Sequence, residues 1–281
     1  MDDYIQQNNI NTLIESVAYL PQEIDVLNEL INTFEPISLE EMDAVHLMNR
    51  VDTKFLIGYS DLPELLKKTL IHYRVLEIND KRILPYSTIY FDTESAEMYM
   101  MHHNRKLSRF KIRRRSYIES GISFIEIKSK SNKGRTTKHR IPITKEQFES
   151  RFLEDQEHVF LNNITCQSTS LIPKLQNTFR RITLVDKSLT ERVTLDIDLS
   201  YQNLSDGICK SVEGLVIIEM KQEGARCSLF RESLNELRVS PGSMSKYCLG
   251  MVLVNPNIKS NRFKNKLRTI NKITNNNYGT F

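Results

Sequence analysis

Apolar residues recur along this chain with two periods, and the switches between them mark out the elements. Over residues 4–35, Ile5, Ile10, Leu13, Ile14, Val17 and Leu20, then Ile24, Val26, Leu27, Leu30 and Ile31, keep a roughly helical spacing and predict helix. A second helix is predicted from Ser38, whose hydroxyl can cap the first turn while Glu41 reaches back to it. The period then drops to two in N-R-V-D-T-K-F-L-I, with Arg50, Asp52 and Lys54 on one face and Val51, Thr53, Phe55 and Ile57 on the other. A short helix led by Ser60 or Asp61, with Pro63 in its first turn, runs to Leu70. Strands follow over 73–78 and 87–92, then a helix over 94–103 that buries Tyr99 and Met100.

The alternation is sharpest from Ser108 to Ile141, which reads as three strands joined by turns at Glu119–Gly121 and Ser131–Gly134. Arg109, Lys111, Arg113 and Arg115 share a face opposite Phe110 and Ile112. On the next strand Glu126, Lys128 and Lys130 lie opposite Ile125 and Ile127, and Lys138 with Arg140 continues the basic rows on the third. Thr144 opens a helix with a capping-box spacing to Gln147, and a further helix broken at Pro173 is predicted over 156–177. Two more strands place Phe179, Arg181 and Thr183 on one parity and Arg192, Thr194, Asp196 and Asp198 on another. The strand over 216–221 is apolar except for Glu219 and Lys221, which share a face and therefore need partners. A helix over 228–237 leads to S-P-G-S-M-S-K-Y-C, where Lys246 is a lone cation in an apolar ending.

Charge changes this picture more than composition does. From Arg105 to Arg115 there are seven cations and no anion, although the net charge of the 281-residue chain is only +4. A solvated sheet face mixes signs, because like charges facing each other across a ladder destabilise it, so this face is expected to hold an anion. The compensating acids lie largely in the first 45 residues, which argues for an internal anion site over a surface that coats DNA. Glycine is scarce, nine in all, and neither G-x-x-x-x-G-K-[ST] nor G-x-G-x-x-G occurs, so phosphates would be held by side-chain cations. Cys166, Cys209, Cys227 and Cys248 are scattered and read as reduced interior thiols; adjacent His102 and His103 point apart, so packing or capping is their expected role. The acidic, polar start and the absence of any long apolar run predict a soluble cytoplasmic protein.

The ordered set R-x-D-x-K, K-x-R-x-R-x-Y, E-x-K-x-K, R-x-x-K-x-R, F-x-R, R-x-T-x-D, E-M-K and S-K-Y resembles the catalytic domain of the vacuolar transporter chaperone (VTC) family, polyphosphate polymerases among the triphosphate tunnel metalloenzymes. The resemblance spans residues 42–254. It implies an α+β fold in which a closed antiparallel eight-stranded β-barrel has a charged lumen and helices packed outside. The expected organisation is an N-terminal helical segment over 1–37, the tunnel domain over 38–254 and a basic tail over 255–281 that lies on the domain.

By the same resemblance the reaction is transfer of the γ-phosphate of ATP to a growing polyphosphate chain, with manganese or magnesium. Lys54, Arg113, Lys128, Arg181, Arg192 and Lys246 would act at the reacting phosphate. Arg50, Lys111, Arg115, Lys130, Lys138, Arg140 and Lys221 would bind the remaining phosphates, with Glu219 as metal ligand and Glu126 second to it. Hydrolases of the superfamily open with E-x-E-x-K, whereas this chain has Arg50, Asp52 and Lys54, a shift toward phosphate binding that favours the polymerase branch. No sensor domain or membrane segment accompanies these motifs, so product translocation would need a separate membrane-protein partner, which would bring the protein to the inner face of a membrane. The alternatives are a tripolyphosphatase or nucleoside triphosphatase on the same fold and a non-catalytic polyphosphate-binding module. Nucleic acid is not an expected partner, because few aromatic residues interleave the basic face.

Overall fold

A computed structural model of the chain describes residues 21–43, 50–165, 171–224 and 227–278. The predicted helix over 4–35 is described from Pro21 and ends at Asn32 (α1); residues 4–20 of that expectation, and Cys166, lie outside the described residues. A short strand, Glu35–Ile37 (β1), comes next, then α2 (Leu39–Asp43), where the predicted cap forms: the Ser38 N–H donates to the Glu41 carboxylate and the Glu41 N–H to the Ser38 hydroxyl.

The remaining elements are β2 (Arg50–Gly58), α3 (Leu62–Thr69), β3 (Tyr73–Leu76), β4 (Leu84–Asp92), α4 (Glu97–His103), β5 (Arg109–Tyr117), β6 (Ile122–Lys130) and β7 (Thr136–Ile143). They continue with α5 (Lys145–Glu149), α6 (Asp155–Thr165), β8 (Ile172–Asp186), β9 (Glu191–Asn203), β10 (Cys209–Val212), β11 (Leu215–Glu223), α7 (Leu229–Glu236), α8 (Lys246–Val254) and α9 (Lys264–Thr274). The capping box from Thr144 to Gln147 is present at α5, and Pro63 stands in the first turn of α3. The helix predicted over 156–177 does not run its full length: α6 is described over Asp155–Thr165, residues 166–170 of that expectation lie outside the described residues, and Pro173 lies in the opening residues of β8, where the register against β4 shifts between Tyr90 and Phe91. Such an irregularity tolerates a residue that cannot donate to the ladder.

Among the described residues eleven strands form one sheet of an α+β fold, and eight of them follow a continuous antiparallel path in the order β2, β11, β9, β8, β4, β5, β6, β7. The expected closure into an eight-stranded barrel does not occur, because β2 and β7 share no ladder. On β2 the Lys54 carbonyl is taken instead by the Gly242 N–H at 2.7 Å, so the segment ahead of α8 occupies part of the edge that closure would need. The sheet nevertheless curls on itself: Lys128 on β6 feels the charges of Glu219, Lys54 and Asp52 at the other end of the path.

Its two faces are packed differently. On the convex side, Phe55, Ile57, Ile182, Val193, Leu195 and Val216 pack under α1, α3 and α7, while Phe91, Ile112, Ile125 and Ile127 pack with Phe148 and Leu161 of α5 and α6. The concave side is not wholly polar. Tyr86, Tyr90, Phe179, Leu199, Tyr201 and Ile217 form an apolar half that receives α8, a helix buried on all sides apart from Leu253 and its first residue. Gly250 sets that approach, since a Cβ there would stand 2.3 Å from the Tyr201 ring. The residues after Asn255 wrap back as α9, which buries Leu267 and Ile270 with Phe263 in the same cluster.

Candidate functional site

Ladder register stacks the charged residues of the concave side into adjoining rows. Asp52, Lys221 and Arg192 stand abreast on β2, β11 and β9, and Lys54, Glu219 and Thr194 form the next row. Asp196 and Arg181 face each other across β9 and β8. On the other wall Tyr90, Arg113, Glu126 and Arg140 run across β4 to β7, with Lys111, Lys128 and Lys138 beside them and Arg109 opposite Lys130. Arg115 is in the row of Thr88 and reaches its hydroxyl at 3.4 Å. The backbone of Arg50 begins β2 opposite Glu223, but its side chain lies outside the described residues.

Four carboxylates sit among these cations: Asp52, exposed in the row of Lys221 and Arg192, and three others that cations clasp. Lys54 Nζ is 2.8 Å from Glu219 Oε1. Arg113 Nε donates to Glu126 Oε2 at 2.7 Å while Lys138 holds Oε1, and Glu126 is 1% exposed. Asp196, also 1% exposed, accepts the Arg181 fork at 2.6 and 2.9 Å together with Lys246. Aromatic rings line this last pair: the Arg181 guanidinium lies 5.0 Å from the centre of Tyr86 and 5.3 Å from that of Phe179, and Lys246 lies 4.7 Å from the same Phe179 ring. At the exposed edge Arg140 covers Phe124 at 4.4 Å.

The electrostatic consequences run in both directions. Burial pushes the carboxyls of Glu219, Glu126 and Asp196 upward, but the surrounding cations outweigh it: Lys221 and Lys54 for Glu219, Arg113, Arg115 and Lys138 for Glu126, Arg181 and Lys246 for Asp196. All three are held well below the usual carboxylate range. The lysines show the opposite imbalance. Burial, reinforced by Lys128, Arg113 and Arg109, brings Lys111 down to about 8; burial with Arg192 and Arg181 does the same to Lys221, and burial with Arg181 brings Lys246 to about 8 despite Asp196. Lys128, Lys138 and Arg115 are lowered as well, first by burial. Cations outnumber carboxylates on this face.

The expected parity fails in one place. Asp198, with φ of 55°, sits next to a bulge and turns to Arg180, so it does not share the face of Asp196. The metal expectation is narrowed too. Among the described residues no three His, Cys, Asp or Glu side chains gather as a metal cage, and both oxygens of Glu126 are engaged by Arg113 and Lys138. Glu219, bound through one oxygen to Lys54, remains the carboxylate that a divalent ion could share with phosphate oxygens. His103 is buried between Asn104 and Asn261, packed on Tyr99 and Phe263, while His102 is half-buried. Cys209 and Cys227 are exposed, contrary to the expectation of interior thiols, and only Cys248 of the described three is buried.

Two residues important to this arrangement carried no expected role. Asp196 shares the parity of Arg192, yet nothing in the strand pattern announced that it would clasp Arg181 and Lys246. Ser245 caps α8 by accepting from the Cys248 N–H and also accepts from Lys111 Nζ at 2.9 Å, tying β5 to the helix.

The VTC domain profile matches residues 49–255. No curated protein matches the chain. Among solved structures, a candidate adenylate cyclase from Bacillus halodurans is similar at 15% identity, covering 77% of this chain and all of that one with a TM-score of 0.47. A candidate adenylyl cyclase from Hippeastrum, described as having a dominant triphosphatase activity, is 13% identical over 72% of this chain and 95% of its own, with a TM-score of 0.44. The PH1819 protein from Pyrococcus horikoshii is 13% identical over 72% and 98%, with a TM-score of 0.38.

Proposed function

Because this chain belongs to the VTC domain family, we propose that it transfers the γ-phosphate of ATP to a growing polyphosphate chain along its basic concave face. The observation that carries this reading is the charge imbalance there: cations from seven strands and α8 meet on one surface, and the carboxylates of Asp52, Glu126, Asp196 and Glu219 are too few to balance them. Phosphoryl transfer asks a protein mainly for positioning and charge neutralisation, which such a surface supplies. Arg113, Arg181 and Arg192 would hold non-bridging oxygens, Lys54, Lys128 and Lys246 would stabilise charge at the transferred phosphate, and Lys111, Lys138 and Lys221 would hold the chain beyond it. A divalent ion shared by Glu219 and the phosphates would neutralise further charge when bound.

The test is direct. Incubated with ATP and Mn²⁺, the protein should produce ADP and a polyphosphate ladder, and Glu219→Gln should slow ladder formation by about a hundredfold or more. Release of orthophosphate without a ladder would make the protein a hydrolase, and polyphosphate binding with no turnover would make it a binding module.

The lysines add a pH signature. Only their charged forms attract phosphate, and Lys111 and Lys221 lose charge as pH rises through about 8 in the free protein. Tripolyphosphate affinity should therefore be steady below about pH 7 and fall above 8, with protons taken up on binding in the higher range. Calorimetry in buffers of different ionisation heat measures both; constant affinity with no proton uptake through about pH 9 would show that these lysines do not face the ligand.

A further inference from the structure

A row of cations leaves the concave face at the start of β5 and continues onto the C-terminal helix. Lys111 lies at the inner end, with Arg109 two residues before it on the same face of β5. Lys266 of α9 belongs to the same neighbourhood, because Lys111, Arg109 and Lys266 all depress the half-buried His102 imidazole, which burial first and then these three bring down to about 3. The buried Cys248 thiol feels the same three cations, and Lys266 in turn feels Arg105.

Their hydrogen-bond partners are neutral. Lys111 donates to the Ser245 hydroxyl, Lys266 to the Ser243 hydroxyl at 3.0 Å and Arg109 to the Lys106 carbonyl at 2.7 Å. Among the described residues no carboxylate forms an ion pair with Arg105, Lys106, Arg109, Lys111 or Lys266. That contrasts with the concave face, where carboxylates are present and clasped. Like charges crowded without a counter-charge destabilise a fold unless a ligand supplies it, and here the group reaches Ser245 at the N-terminus of α8 through Lys111 and Ser243 just ahead of it through Lys266.

We infer that Lys111, Arg109, Lys266 and Arg105 form an outer subsite over which a long polyphosphate chain leaves the concave face, passing the N-terminus of α8 and crossing onto α9. This rests on the proposed polyphosphate reading and adds where the chain emerges. A short triphosphate stays within the inner rows and does not reach Arg105 or Lys266; a long chain touches both regions at once and gains affinity from their linkage.

The experiment compares the full chain with Arg105→Glu/Lys266→Glu, and with Arg105→Glu/Lys106→Glu, which alters exposed positions only. Three probes are used: tripolyphosphate, long-chain polyphosphate and vesicles containing phosphatidylserine. Both variants should bind tripolyphosphate within about twofold of the parent and long-chain polyphosphate about tenfold more weakly, with a shallower salt dependence. Unchanged long-chain binding, or equal weakening of both phosphate ligands, overturns the inference while leaving the proposed function intact. Loss of vesicle binding alone also overturns it and assigns the row to lipid headgroups. A parent protein that binds neither phosphate ligand overturns the proposed function, and this inference with it.

Discussion

Replacing Arg114 by methionine should destabilise the fold by about 3–5 kcal/mol, read as a lower urea midpoint and a fall in melting temperature on the order of 10 °C. Arg114 is fully buried on the convex side of β5, between two neighbours that face the basic concave rows. Its guanidinium donates to both oxygens of Glu157 at 2.8 and 2.6 Å and to the carbonyls of Ser150 and Phe152 at 2.6 and 2.7 Å, and lies 5.2 Å from the Phe91 ring. Glu157 is 0% exposed, so losing Arg114 leaves a carboxylate without a counter-charge and takes a donor from the carbonyls of Ser150 and Phe152, the latter keeping the Ser150 hydroxyl at 3.1 Å. The double replacement Arg114→Met/Glu157→Met should recover much of the loss, because removing both charges ends the desolvation penalty. A midpoint within about 1 kcal/mol of the parent for Arg114→Met alone would mean that water reaches Glu157 and that the pair does not pin α6 to the sheet.

Arg114 also marks how far the sequence could be read. The alternation of β5 was legible, since odd-numbered cations opposite Phe110 and Ile112 fix which face is basic. The same alternation puts Arg114 on the apolar face, a position that demands a buried partner, but with Glu146, Glu149, Glu154, Asp155 and Glu157 all close behind, the pattern could not say which carboxylate would meet it. Pairing along β2 and β11 was foreshadowed by Glu219 and Lys221, whose partners turned out to be Lys54 directly opposite and Asp52 one row on. Closure was not legible. It depends on which group occupies the free edge of β2, and the occupant, Gly242, comes from a loop nearly two hundred residues away with no periodicity to place it. Pro173 misled for a related reason: proline ends helices reliably, but at the start of a strand with a register shift it costs no ladder bond, and only the pairing with β4 reveals that setting. The bulge that turns Asp198 away from Asp196 is likewise a product of pairing between β8 and β9.

Arg181→Met should lower kcat/KM of the proposed transfer by about 10²–10³, and Arg181→Lys should rescue little of it. Arg181 is 13% exposed, its fork is locked on Asp196, and its plane is set against Tyr86 and Phe179, so it enters the reaction already oriented. A lysine keeps the charge but cannot form the paired bonds to Asp196 or present a planar group to a phosphate. Loss of Arg181 also leaves Asp196 facing Lys246 alone, which draws that lysine toward the carboxylate and away from the ligand. Two effects are therefore mixed in the single variant, and Arg181→Met/Asp196→Asn separates them: stability should return toward the parent while transfer stays impaired. If the double variant regained the parental rate, Arg181 would serve only to neutralise Asp196. If Arg181→Met itself lost less than about threefold, the paired face of β8 and β9 would lie outside the path of the transferred phosphate, and the reacting centre would have to be sought among Arg113, Lys128 and Lys138.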